Sequence, residues 1–407
     1  MSDWHECRLG DLIRVHHGYA FSGDQMTDEL TGAPIVVSIG NFSYTGGFRF
    51  GSTRVREFRG NYPKEFELNA GELLVIMTCQ TAGGEILGVP AFVPNDGRVY
   101  LHNQRIGRIE CDELRLSKRF AYYLFLSSDV NRQLFNTSSG TKILHTSPSR
   151  INEVRVTVPR LHEQRNIAEV LGALDDKIAV NERIAATARE LGLTFYSQSL
   201  HDDDSVEVAV ESVTTALTRG VAPKYTDSSD ELTVLNQKCI RDGRVNLEPS
   251  RLTLREKVKA PKLLQLNDVL VNSTGVGTLG RVARWTRDLD ATVDSHITIV
   301  RFNEDKVDPV CGGFAMLRAQ PEIEAMGEGS TGQTELRRSQ VGELELTLPS
   351  PAGQKELRPK LDALEERADQ ALRESLALAA LRDTLLPQLM SGKLRVQDAE
   401  KIVEDAV

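Results

Sequence analysis

The chain has 407 residues, 26% of them charged and 40% hydrophobic, an ordinary globular composition at a length beyond one core, so two or more domains are expected. A net charge of −9 excludes a uniformly basic protein but not a nucleic-acid partner, because counterion release depends on the phosphates a surface neutralises and not on total charge. The five cysteines (Cys7, Cys79, Cys111, Cys239, Cys311) are far apart and never spaced C-x-x-C, which indicates neither a disulfide framework nor a zinc site.

No apolar run is long enough to span a bilayer, and the opening "MSDWHECRLGDLIRV" lacks the basic start and apolar middle of a signal peptide, so a cytoplasmic chain with no membrane partner is expected. Residues 1–158 read as a first mixed α/β unit. Its polar loops carry donors suited to bases and phosphates: "RFGSTRVREFRG" brings Arg49, Arg54, Arg56 and Arg59 close together with Phe48, Phe50 and Phe58 between them. "LHNQRIGR" adds Asn103, Gln104 and Arg105, and "NTSSGTKILHTSPSR" adds Thr141, Lys142 and His145. Arg and Lys suit guanine edges, Asn and Gln suit adenine edges, and hydroxyls and amides suit phosphates.

An alternating strand, Val154-Val156-Val158, then ends at Pro159. Residues 159–200 follow as a long helix, with Ile167, Leu171, Leu174, Ile178, Ile184, Ala188, Leu191 and Phe195 forming a stripe at spacings of three or four, broken by one gap of six.

Residues 201–348 read as a second α/β unit. Its loops offer Gln237, Lys238, Arg241 and Arg244, then Asn272, Ser273, Thr274, Thr278 and Arg281, then Thr331, Gln333, Arg337 and Arg338. Gly275, Gly277 and Gly280 have the G-x-G-x-x-G spacing of a dinucleotide loop, but "GRVARW" resumes as a strand where that fold requires a helix, so strand, loop, strand is expected. Residues 349–407 form a second long helix and tail, with Leu357, Leu361, Leu364, Ala368, Leu372 and Leu376 as its stripe. Pro359 sits near the start of this helix and predicts a late beginning or a bend.

The halves repeat each other. "INEVRVTVPRLHEQRNIAEVLGALDDKI" from Ile151 and "VGELELTLPSPAGQKELRPKLDALEERA" from Val341 align at a constant offset, with Gln164, Leu171 and Leu174 matching Gln354, Leu361 and Leu364. "TAGGEILG" stands in the first copy where "TGVGTLG" stands in the second, so the shared feature is a flexible loop between strands and not a phosphate fingerprint. The pattern predicts an α+β protein: two similar mixed α/β domains joined by two long antiparallel helices, an internal repeat with approximate twofold symmetry. No motif for catalysis is present. There is no H-E-x-x-H, the histidines form no ligand-spaced cluster, and "SGKLR" lacks the earlier glycine of a phosphate loop.

At "LHEQRNIAEVLGALDDKIAVNERI", at "LRDTLLPQLMSGKLRV", and at "DVLVNSTGVGTLGRVA" followed by "VDSHITIVRF", the sequence resembles the specificity subunits of type I restriction-modification systems, over essentially the whole chain. The second copy departs from the first at Gly353, which replaces Glu163 of the E-Q-R motif.

The resemblance implies two target recognition domains, each reading half of a bipartite site on double-stranded DNA, with antiparallel helices as a ruler for the unread spacer. It implies no catalysis and no cofactor in this chain. Two modification methyltransferase subunits would dock on the helices and bring S-adenosylmethionine; a restriction/translocase subunit, where one joins, would bring ATP with Mg. Gln164, Leu171, Leu174, Ile178, Gln354, Leu361 and Leu364 are the expected helix-pair and docking residues. The sequence leaves open a duplicated recognition or scaffold subunit of another defence system with a different effector.

Overall fold

In a computed structural model the described residues are 4–50, 55–201, 204–275, 277–327 and 335–405. The chain divides into two units, Met1–Val180 with Glu374–Val407, and Asn181–Arg373, so each unit holds one α/β module and a segment of both long helices. Among the described residues no helix is long and apolar enough to cross a membrane.

In the first unit a four-stranded antiparallel sheet runs in the order Ile13–His17, Ile106–Cys111, Leu73–Ile76, Pro90–Phe92. The central strand Leu73–Ile76 is buried at every residue, as a strand covered on both faces must be. A second sheet runs Met26–Thr27, Glu57–Phe58, Ile35–Val36, Tyr100–Leu101, Glu67–Leu68, and its one parallel pairing sets Tyr100 beside Ile35. The first strand, His5–Arg8, pairs antiparallel with Arg155–Val158, whose inward Val156 and Val158 alternate with outward Arg155 and Thr157.

Helices Lys118–Leu126 and Ser128–Thr137 bury Phe120, Phe125 and Leu134 in the same core as Leu171 and Leu174 of the helix Leu161–Ser199 and Leu385 and Leu389 of the helix Pro351–Met390. Within this unit the long-helix segments run antiparallel, because Asp175 meets Arg382 at 2.7 Å while Lys177 meets Glu374 at 3.2 Å.

His102 is 3% exposed and its Nε2 lies 2.8 Å from the Ile106 carbonyl oxygen. Burial pushes the imidazole down to about 4. The unfolded chain therefore takes up a proton below about pH 6.5 that the folded chain refuses until about pH 4, and stability falls as pH drops through that window, by up to about 3 kcal/mol. Melting temperatures of the wild type and His102→Gln from pH 7 to pH 4 should converge at the acid end; parallel curves would remove His102 as the cause.

In the second unit the order repeats. Thr214–Arg219, Ile297–Phe302, Val269–Asn272 and Val282–Arg284 form the antiparallel sheet, and Tyr225–Thr226, Arg251–Thr253, Leu232–Leu235 and Ala291–Val293 form the second sheet, again with one parallel pairing, Leu232–Leu235 to Ala291–Val293. Val206–Ala209 pairs with Glu345–Leu348 as His5–Arg8 does with Arg155–Val158. Alternation along Val269–Asn272 divides two cores: Val269 and Val271 face Phe314 of the helix Pro309–Arg318, and Leu270 faces Trp285.

The long-helix segments of this unit meet through Ala185, Ala188 and Ala368, flanked by Leu364 and Leu372. Small side chains there let the helix backbones approach closely. The second long helix begins at Pro351, a first-turn position that suits proline, so Pro359 lies inside it and the expected late start is not observed.

Gln164 and Gln354 also take a different place from the one expected. Gln164 is 0% exposed; its Nε2 donates to the Pro159 and Arg115 carbonyls at 2.9 and 3.0 Å, and its Oε1 accepts from the Ser117 amide at 2.9 Å. Gln354 donates to the Pro349 carbonyl at 2.8 Å and accepts from the Asp308 amide at 2.9 Å. Each glutamine thus fastens the start of a long helix to the strand before it and to a helix of its own module, so neither is available for docking. Gln164→Ala strips one buried and two partly buried backbone groups of partners and should cost about 2–4 kcal/mol in denaturant unfolding; a loss below about 1 kcal/mol would show that water replaces the side chain.

Candidate nucleic-acid interface

In both modules the loops that follow the antiparallel sheet are stitched into one end of the fold by equivalent hydrogen bonds. In the first module the Tyr19 amide donates to the His102 carbonyl at 2.8 Å, the Met77 amide to Arg105 at 2.9 Å, and the Thr146 amide to Met77 at 2.9 Å. In the second, the Val221 amide donates to Val293 at 2.9 Å, the Ser273 amide to His296 at 2.8 Å, and the Leu336 amide to Ser273 at 2.9 Å. Gly18 and Gly220 permit the closest of these approaches: a Cβ on either would lie 2.3 or 2.1 Å from a backbone carbonyl oxygen of the neighbouring strand. The pair stands in "HGYA" and "RGVA", the signal by which the sequence could have disclosed it.

The turns that carry the donors are also built alike. The Arg105 amide donates to Asn103 Oδ1 at 3.0 Å, and the His296 amide to Asp294 Oδ1 at 2.9 Å. In the first module this end exposes Gln104, Arg105, Thr141, Lys142 and His145, with Asn103 partly buried as the turn former. In the second it exposes Lys238, Ser295, His296, Arg337 and Arg338. At equivalent strand ends a threonine hydroxyl holds an exposed histidine, Thr78 with His145 Nδ1 at 3.0 Å and Thr274 with His296 Nδ1 at 2.8 Å, although the histidines come from different loops. Ser295 and His296 are the exposed rim residues that sequence reasoning missed.

Lys262 adds to the positive character of the second module's end. Its Nζ donates to the Arg219 carbonyl at 2.5 Å and to the Thr218 hydroxyl. Burial and the neighbouring Arg338 hold its ammonium below the usual lysine range, while Arg219 is paired with Glu335 at 3.1 Å. Exposed amide, guanidinium, ammonium and imidazole groups on one rim suit base edges and phosphates.

Other expected residues are used by the fold itself. Asn272 and Ser273 are 0% exposed; the Asn272 amide donates to the Gln237 and Thr278 carbonyls at 3.0 and 3.1 Å, and the Ser273 hydroxyl is bonded to that of Thr298 at 2.6 Å. Thr274 and Thr278 shape their own loop, which Gln237 fastens by donating to the Thr274 carbonyl at 2.7 Å. Arg281 donates to the Gly277 carbonyl at 2.8 Å. Arg244 is paired with Asp369 at 2.8 Å, away from the rim.

Arg56 and Arg59 meet Asp28 and Glu29 at 3.7 and 3.1 Å on the second sheet, and Arg49 and Arg241 also have partners within the fold. The phenylalanines between them are no stacking platform for bases: Phe48 packs on Phe42 and Phe50, Phe50 on Tyr100, and Phe58 is 3% exposed. Arg54, Thr331 and Gln333 lie outside the described residues.

The glycine loop is a connection between antiparallel strands, with Val271 opposite Val282, and among its described residues no helix opens. Gly280 and its counterpart Gly88 both have φ of +81°, and a Cβ on either would come within 2.6 Å of the helix packed behind, at Glu324 or Leu134. The glycines serve backbone turning and close packing, and the dinucleotide reading has no helix N-terminus to rest on.

Residues 1–189 match the family model of the type I restriction modification DNA specificity domain. In that part, just under half of the chain, the sequence is similar to this family. It is 24% identical over 328 residues to the type I restriction enzyme EcoBI specificity subunit of Escherichia coli, an alignment covering 71% of this chain and 64% of that protein. It is 21% identical over 185 residues to the type I restriction enzyme MjaVIII specificity subunit of Methanocaldococcus jannaschii, covering 44% of this chain and 41% of that one.

The matched stretches thus span less than two thirds of either relative's length. In fold the chain resembles the type I restriction-modification S subunit from M. genitalium, with a TM-score of 0.56 at 16% identity over 95% of this chain and 96% of that one.

Proposed function

We propose that the chain is the DNA-reading subunit of a type I restriction-modification complex, in which each module reads one half of a bipartite duplex site. The two long helices set the unread spacer and dock two modification methyltransferase subunits, with restriction/translocase subunits as further partners. The chain performs no chemistry in this reading. S-adenosylmethionine, and ATP with Mg where a motor joins, are held by the partners, and the chain works in the cytoplasm.

The observation that carries the reading is that one strand order, with one glutamine anchor to a long helix, is built twice in a single chain. A duplicated reader with matched attachment suits a split address on a periodic partner, with half-sites about one helical turn apart. Mapping methylated bases in cells that express the chain with a methyltransferase subunit tests it. A bipartite motif of fixed spacer, absent without the chain, is expected; no new methylation, together with no retention of duplex DNA by the complex at stated salt, would overturn the reading.

A further inference from the structure

In the second unit a short hairpin reaches from the module to both long-helix segments. Ile240–Arg241 pairs with Arg244–Val245 across the turn residues Asp242 and Gly243, at φ of +51° and +69°, the left-handed pair that closes a two-residue hairpin. Gly243 lies against the first long helix: a Cβ there would come within 2.4 Å of the Arg189 guanidinium carbon. Arg244 reaches the second long helix, donating to Asp369 at 2.8 Å and approaching Glu365 at 3.5 Å.

From the sheet, Arg284 donates to Glu365 at 3.0 Å and to Asn267 at 2.6 Å, and Thr286 donates to the other oxygen of Asp369 at 3.0 Å. The Arg284 side chain is 5% exposed and Glu365 is 13% exposed, so these charges are largely desolvated and tied to one geometry. Gly313 makes room for the arginine, since a Cβ there would lie 2.7 Å from Arg284 Cδ.

The first module is fastened differently. Asp175, which holds the position of Glu365 in the repeat, accepts from the Tyr123 hydroxyl at 2.6 Å and from Arg382 of the second long helix at 2.7 Å. The loop that matches the hairpin, bridged from Phe42 to Phe48, presses Gly46 on Tyr122 of the module's own helix.

We infer that the Arg244 hairpin and Arg284 form an ionic lock fixing the angle between the second module and its long-helix segments, and that this lock sets how strictly one spacer length is required. The inference rests on the bipartite reading proposed above. A module held at several charged points pays strain to reach a half-site displaced by one base pair, and a module held only by apolar contacts can tilt to it. Arg244 and Arg284 are positioning residues in this account and touch no DNA.

The test uses the full chain assembled with its methyltransferase subunit. Arg244→Gln should keep both half-sites and raise methylation at spacers one base pair longer or shorter by about tenfold relative to the wild-type spacer, a fold-change worth about 1.4 kcal/mol. Arg244→Lys, which keeps the charge toward Asp369, should narrow the distribution again.

Asp369→Asn, which leaves Glu365 to both arginines, gives the same readout should Arg244→Gln fail to fold in a melting experiment. Unchanged spacer preference in a folded variant, or equal loss of methylation at every spacer, overturns the lock. A wild-type complex that methylates no bipartite motif instead overturns the functional reading, and the spacer claim with it.

Discussion

Leu171→Asp with Leu174→Asp abolishes cooperative folding of the first unit. Both leucines are 0% exposed and share one core with Leu73, Phe120, Leu385 and Leu389, so the substitution strikes the sheet, the module's helix and both long-helix segments at once. Losing each buried leucine costs about 2–5 kcal/mol through burial and cavity terms, and an unpaired carboxylate in an apolar site adds several more. The sum meets or exceeds the roughly 5–15 kcal/mol that holds an ordinary domain together.

Loss of the sigmoidal melt by circular dichroism is the expected result and, under the proposed reading, so is loss of co-elution with a methyltransferase subunit in size exclusion. Leu376→Asp is the control, because Leu376 is 65% exposed and the same chemical change there should move stability by less than about 0.5 kcal/mol. A double variant that melts like the wild type would mean that the long helices do not contribute to this core.

The second large effect is on specificity. Inserting four residues after Ala185 and four before Ala368 lengthens both helices at positions that meet within the second unit, which preserves their antiparallel register. Four residues add about 6 Å and about 40° beyond a full turn. Along duplex DNA 6 Å is close to two base pairs, at about 3.4 Å each.

Under the proposed reading the methylated motif keeps both half-sites and gains about two base pairs of spacer, at a lower rate because two base pairs also turn the duplex by about 70°. Insertion into one helix alone breaks the register and should destabilise the second unit instead. A changed half-site base, or an unchanged spacer, in the doubly lengthened chain would sink the ruler.

Much of this was legible in the linear sequence. The repeat from Ile151 to Val341 predicts two like modules, and the modules share their strand order. The apolar stripe through Leu171 and Leu174 predicts helices that pack along their length, and both leucines are in the core. The strand-like "GRVARW" after Gly280 predicts a connection between strands, and Val282–Arg284 is one.

Polar side chains were read less well. Gln164 and Gln354 resemble surface helix residues in the sequence yet are buried anchors, and Asn272, Ser273 and Arg244 resemble ligand donors yet are bonded within the fold. Of the loop residues, Gln104, Arg105, Thr141, Lys142, Lys238, Arg337 and Arg338 remain exposed.

The difference has a physical origin. Periodicity and turn chemistry are local: a leucine every three or four residues, or a glycine where φ must be positive, imposes its consequence within a few residues. The sequence by itself therefore determined the elements, their faces and their duplication. The fate of a donor depends on which acceptor folding brings to it, and Arg244 finds Asp369 from 125 residues away, as Arg284 finds Glu365 from 81. Only the tertiary structure decided which arginines are bonded to the long helices and which are left exposed, because a charge is paired or left in water according to contacts that no local pattern encodes.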